Sequence, residues 1–81
     1  MEMRIVGITD NRVWVQGKKD GKWHQTIVDK TAFEVMMRMS FPRYVEEYAM
    51  SNTDKDMADF FYHYGETESM KRKGEAYIFT A

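Results

Sequence analysis

The chain has 81 residues, no cysteine and a formal net charge of −1, with 31% charged and 15% aromatic residues. That length sets one domain, 1–81, able to bury only about 60% of the surface its unfolded chain exposes. No disulfide or thiolate zinc site can staple it. Its apolar runs fall far short of the ~20 residues of a membrane span, and MEMRIVG lacks the basic-then-apolar pattern of a signal peptide. A cytoplasmic protein with no membrane partner is the expectation.

Met3–Ile8 (MRIVGI) reads as a strand rich in β-branched residues. Thr9–Arg12 is turn-forming, with Asp10-Asn11 able to take positive φ. Arg12–Gln16 alternates cleanly, Val13 and Val15 on one face, Trp14 and Gln16 on the other. Gly17–Gly21 (GKKDG) is a hairpin loop with Asp20-Gly21 as its turn signal. Lys22–Val28 follows as a third strand, Trp23, Gln25 and Ile27 on one face and His24, Thr26 and Val28 on the other. Short loops between these strands imply an antiparallel meander.

The period then changes from two to 3.6. Asp29 or Thr31 caps a helix over Ala32–Ser40, and Thr31-x-x-Glu34 has the form of a capping box. Phe33, Val35, Met36, Met37 and Met39 spread over more than half its circumference, which implies a central helix or one partly covered by another molecule. Pro42 ends it and suits the first turn of a second helix, Pro42–Met50. There Tyr44, Val45, Tyr48 and Ala49 face the core, and Glu46 and Glu47 face out. A linker, Ser51–Thr53, leads to the clearest amphipathic signal of the chain, Thr53–Gly65: Met57, Phe60, Phe61 and Tyr64 at i, i+3, i+4 and i+7. Thr53 is the expected N-cap and Gly65 the left-handed C′ residue. Glu66–Lys73 reads as a loop or ragged turn, and Glu75–Thr80 as a final strand. The fold class is α+β, ordered β-β-β-α-α-α-β: a three-stranded antiparallel meander, three short helices on one face, and a C-terminal strand pairing with an edge of the meander.

Charge is unevenly spread. Residues 1–43 carry +3, residues 44–69 carry −6 and residues 70–81 carry +2. The acidic stretch includes Glu46, Glu47, Asp56 and Asp59, interleaved with tyrosines and followed by Tyr62 and His63. Acids mixed with tyrosines suit docking onto a basic, nucleic-acid-binding surface of a larger protein; a plain solvated helix face has the same composition. Lys18, Lys19 and Lys22 with Trp14 and Trp23 form a basic–aromatic cluster at the second hairpin, suited to phosphate contact and base stacking, or to a solvated tip with its tryptophans in the core. The second and third helices have a helix-turn-helix outline, but a recognition helix bearing Asp54, Asp56 and Asp59 would repel DNA phosphates.

Catalytic signals are lacking. The serines have no nucleophile-elbow setting, the glycines form no phosphate loop, and Asp59 with His63 offers two metal ligands where a closed site needs three or four. No cofactor, no metal and no enzymatic activity are expected. The leading expectation is a non-enzymatic inhibitor or regulator, of phage or mobile-element style. It would bind a basic protein surface through Glu46, Glu47, Asp56, Asp59, Tyr62 and His63. A nucleic-acid-binding module built on the lysine–tryptophan hairpin comes second. A homodimer through Val35, Met36 and Met39 comes third.

Overall fold

The computed structural model describes residues 1–81. Strands β1 (Glu2–Ile8), β2 (Arg12–Lys19) and β3 (Lys22–Asp29) precede helices α1 (Lys30–Ser40), α2 (Pro42–Met50) and α3 (Met57–Lys71), and β4 (Phe79–Thr80) closes the chain. The sheet is antiparallel throughout, in the order β3-β2-β1-β4, and the helices pack against one face, as the period change implied. No helix is long and apolar enough to cross a membrane.

The hairpin between β2 and β3 is tighter than the glycine spacing suggested. Gly17 to Lys19 continue the strand, and the turn is Asp20-Gly21 alone, at φ 53° and 75°. Two positive φ values at adjacent positions match the twist of a two-residue hairpin, and the Asp-Gly pair supplies them. β1 carries a bulge: Ile5 pairs with Val15, but Gly7, not Val6, pairs with Trp14. The extra residue lets Ile5 and Ile8, three apart, both pack on the core.

Met3, Val13 and Val15 from the sheet, Phe33, Met37 and Phe41 around α1, Met57, Ala58 and Phe61 from α3, and Phe79 form the buried core. Tyr44 of α2 is an aromatic hub, meeting Phe41, Phe61, Tyr64, Tyr77 and Phe79 edge-on, with ring centroids 5.0–6.4 Å apart. Such edge contacts are worth about 0.5–1.5 kcal/mol each beyond area burial.

Several boundaries differ from the sequence reading. α1 begins at Lys30, because Asp29 is the cap: its carboxylate accepts the Ala32 N–H at 2.7 Å, so Thr31 and Glu34 fall inside the helix and form no box. α3 begins at Met57, capped by Asp56, which accepts the Asp59 N–H at 2.8 Å. Thr53 instead accepts the Lys55 N–H at 3.2 Å within the linker, and Asn52 turns that linker at φ 53°. Gly65 is no terminus. It lies in mid-helix against Phe79, where a Cβ would come within 4.0 Å of the ring, and α3 runs on through residues 66–71. It ends in paired bonds from Lys73 N–H to Met70 C=O (3.3 Å) and from Gly74 N–H to Ser69 C=O (2.8 Å), with Lys73 at φ 57°. That is a Schellman ending with lysine in the place usually given to glycine. β4 shrinks to two residues, and Ala49 is exposed rather than inward.

Candidate functional site

No helix covers the second face of the sheet, and the alternation of three strands decides what stands there. Val13 and Val15 point into the core, so Arg12, Trp14, Gln16 and Lys18 of β2 point away from it. The register brings Trp23, Gln25 and Ile27 of β3 beside Lys18, Gln16 and Trp14, and Arg4 of β1 beside Gln16. Both tryptophans are therefore on the open face, half-buried, and neither is in the core.

The side chains there are ordered by one another. Arg4 Nε donates to Gln16 Oε1 at 2.7 Å, and Gln16 Nε2 donates to Gln25 Oε1 at 3.1 Å. The Arg4 guanidinium carbon stands 4.1 Å from the centroid of the Trp23 ring, and Lys18 Nζ stands 5.8 Å from it. Trp14 lies across Gly7: its Cβ and Cε3 pass 3.8 Å from where a side chain on Gly7 would begin. One side of that indole is thus supported by β1 backbone. Lys18 also approaches Glu2 at 3.9 Å, a long exposed pair of little worth. Lys19 and Lys22 belong to the other face of the hairpin tip, so the five-residue cluster read from the sequence divides: Trp14, Trp23 and Lys18 come together, with Arg4 added, and Lys19 and Lys22 do not join them.

The acidic side is also divided. Asp56 and Asp59 both meet Lys30, at 3.1 and 3.4 Å, and the lysine side chain is only 16% exposed. Burial opposes the charge of Asp56, but the Asp59 N–H and the Lys30 ammonium outweigh it and hold the carboxyl below its ordinary range. Burial likewise works against the Lys30 charge, and the two aspartates overcome it and raise its pKa. Glu68 pairs with Lys71 at 3.4 Å. Glu46 and Glu47 border a shallow cleft with Arg43, Tyr44, Tyr64 and Thr80. Tyr62 lines a different cleft with Ile5, Val6 and Gly65, and His63 is exposed. The strong local field implied by a charge of −6 is therefore reduced by cations from outside that stretch: Lys30 and Arg43 before it, Lys71 after it.

Beside Glu47 sits a phenol cluster. The Tyr44 and Tyr77 hydroxyls are 2.7 Å apart, and Arg72 stands 5.1 Å from the Tyr77 ring. Burial, then the Tyr77 hydrogen bond, pushes the Tyr44 phenol up to about 12; burial raises Tyr64 and Tyr77 as well. No three histidine, aspartate or glutamate side chains gather closely enough to hold a metal ion.

Arg4 is the site residue that sequence reading missed. It sits two strands away from Trp23 in space and nineteen residues away in the chain, and only the β1–β2–β3 register joins them. The chain matches no protein-family model, no curated protein and no solved structure.

Proposed function

We propose that the protein is a non-enzymatic binding module that holds a short single-stranded nucleic acid against the helix-free face of its sheet. The observation that carries this reading is the joint placement of Trp14 and Trp23 on that face, one indole backed by Gly7 and the other stacked with the Arg4 guanidinium. A flat aromatic or guanidinium surface offers a stacking partner to any base, worth about 1–3 kcal/mol per base. The Gln16–Gln25 amide pair adds donors and acceptors between the two stacking positions. Arg4, Arg12 and Lys18 against Glu2 and Asp29 leave only a small positive excess on this face. Binding led by stacking follows, with a shallow salt dependence: neutralising two or three phosphates gives a slope of log K on log salt of about −2.

Fluorescence anisotropy with labelled single-stranded DNA and RNA at low salt tests the reading. Saturable binding that quenches tryptophan emission and falls at least about tenfold in Trp23→Ala supports it. No binding to any oligonucleotide removes it.

A second reading keeps one supporting observation. Glu46 and Glu47 stand without a salt bridge at the tyrosine-lined cleft, which suits an inhibitor docking on a basic protein surface. A complex weakened by salt and by Glu46→Lys with Glu47→Lys supports it, whereas a complex indifferent to both changes excludes this face.

A further inference from the structure

The two edges of the sheet are unequal. β4 covers Glu2 and Met3 at the β1 edge, whereas β3 is an eight-residue edge paired on one side only. The phase of its ladder can be read from one bond: Lys30 N–H donates to Asn11 C=O at 3.1 Å, one step beyond the Arg12–Asp29 pair. Mutually bonded pairs recur every second residue in an antiparallel ladder. Lys22, His24, Thr26 and Val28 therefore turn their backbone groups toward β2, and Trp23, Gln25 and Ile27 turn theirs outward, unpaired. Natural edges of this kind are blunted by lysine, proline, a bulge or a covering element. Trp23–Val28 has no charged residue and no proline, and its register with β2 is unbroken.

We propose that this edge pairs with itself, two copies joining antiparallel through β3 about a two-fold axis at Gln25 into one continuous sheet. In that register Trp23 stands opposite Ile27 of the second copy, Gln25 opposite Gln25, and His24 opposite Thr26. Ile27, 50% exposed in the single chain, gains an aromatic partner, and the Lys22 end of one strand approaches the Asp29 end of the other. The neighbouring registers are poorer. Centring on Thr26 sets Trp23 against Asp29 and Lys22 against Lys30, and centring on His24 sets two imidazoles face to face.

The helix layer agrees with this occupant. Lys30 fixes one flank of α1 toward α3, and the opposite flank presents Ala32, Val35, Met36 and Met39. Met36 borders a groove with His24, Gln25 and Thr26, so this flank leans over β3. Val35 is 51% and Met39 79% exposed. A two-fold axis normal to the sheet keeps both copies of α1 on one face and turns these apolar flanks toward each other across the seam.

Sedimentation velocity over a concentration series, with single-cysteine variants of this cysteine-free chain, tests the pairing. The wild type should sediment at twice the mass of one chain. Bonded antiparallel pairs lie about 5.5 Å apart at Cα, within disulfide reach. Gln25→Cys, opposite its own copy, should oxidise to a covalent dimer at least about tenfold faster than Thr26→Cys, which faces His24. Ile27→Lys should sediment as a monomer with an unchanged far-ultraviolet circular dichroism spectrum. A wild type that is monomeric at every concentration overturns the proposal, as does equal cross-linking of the two cysteine variants. A monomer that instead takes up an extended peptide at this edge overturns it equally.

Discussion

The two faces of the sheet share three strands and obey opposite rules. On the covered face every buried side chain is apolar, and Val13, Phe33, Met37 and Phe61 are fully shielded. On the open face order comes from polar and aromatic partners: Arg4 with Gln16 and Trp23, and Gln16 with Gln25. The first arrangement stabilises by removing area from water and tolerates no vacancy. The second holds side chains in defined positions while leaving them accessible, which is what a binding surface needs.

Substitutions should separate the two regimes. The largest effect is expected on the covered face: Phe61→Ala should cost about 3–5 kcal/mol of unfolding free energy in a denaturant titration, enough to unfold much of so small a domain. Asp56→Ala should come next, at about 1–2 kcal/mol, through loss of the α3 cap and one partner of Lys30. Because the Asp56 carboxyl sits below its ordinary range in the folded state, its contribution is present near neutrality and is lost as pH falls through that lowered value. Tyr44 gives the opposite sign. Its phenol is held near 12 when folded and near 10 when unfolded, so its contribution should be constant up to about pH 10 and decline toward pH 12, a slope that Tyr44→Phe reduces and that the raised Tyr64 and Tyr77 phenols keep from vanishing. On the open face Trp23→Ala should cost only about 1 kcal/mol or less of stability while removing most oligonucleotide affinity. A Trp23→Ala protein destabilised as much as Phe61→Ala would erase the distinction. The smallest effect carries the reverse sign: Gly65→Ala should raise stability by about 0.5–1 kcal/mol, since the added methyl meets Phe79 at ordinary contact distance inside a helix.

Most of the fold was legible in the sequence because each element declares its own period. The alternation of Arg12–Gln16, the Asp20-Gly21 turn and the Met57–Tyr64 stripe are local signals, and the structure realises all three. Thr53 was the expected cap, and the position fell to Asp56 because Met57 and Ala58 are buried and Lys30 adds a second partner. Gly65 looked like a stop because glycine ends helices. Its actual role is set by Phe79, fourteen residues on, which no local pattern reveals. The candidate site was half legible. Trp14 and Trp23 were visible as a pair, but Arg4 and the neutralising Lys30 arrive from other parts of the chain, and block counting of charge assigned Lys30 to the wrong neighbourhood.

The bulge at Val6 gives β1 a residue to spare. Removing Val6 would leave Ile5 opposite Val15, glycine opposite Trp14 and isoleucine opposite Val13, the pairing already present on either side of it. A deletion inside a central strand ordinarily reverses the facing of everything beyond it. Here the chain shortened at Val6 should keep its inside and outside, and a cooperative unfolding transition retained there but lost on deletion of Arg4 would show it. The strand thus holds a site where evolution can shorten the chain by one residue without exchanging core for surface.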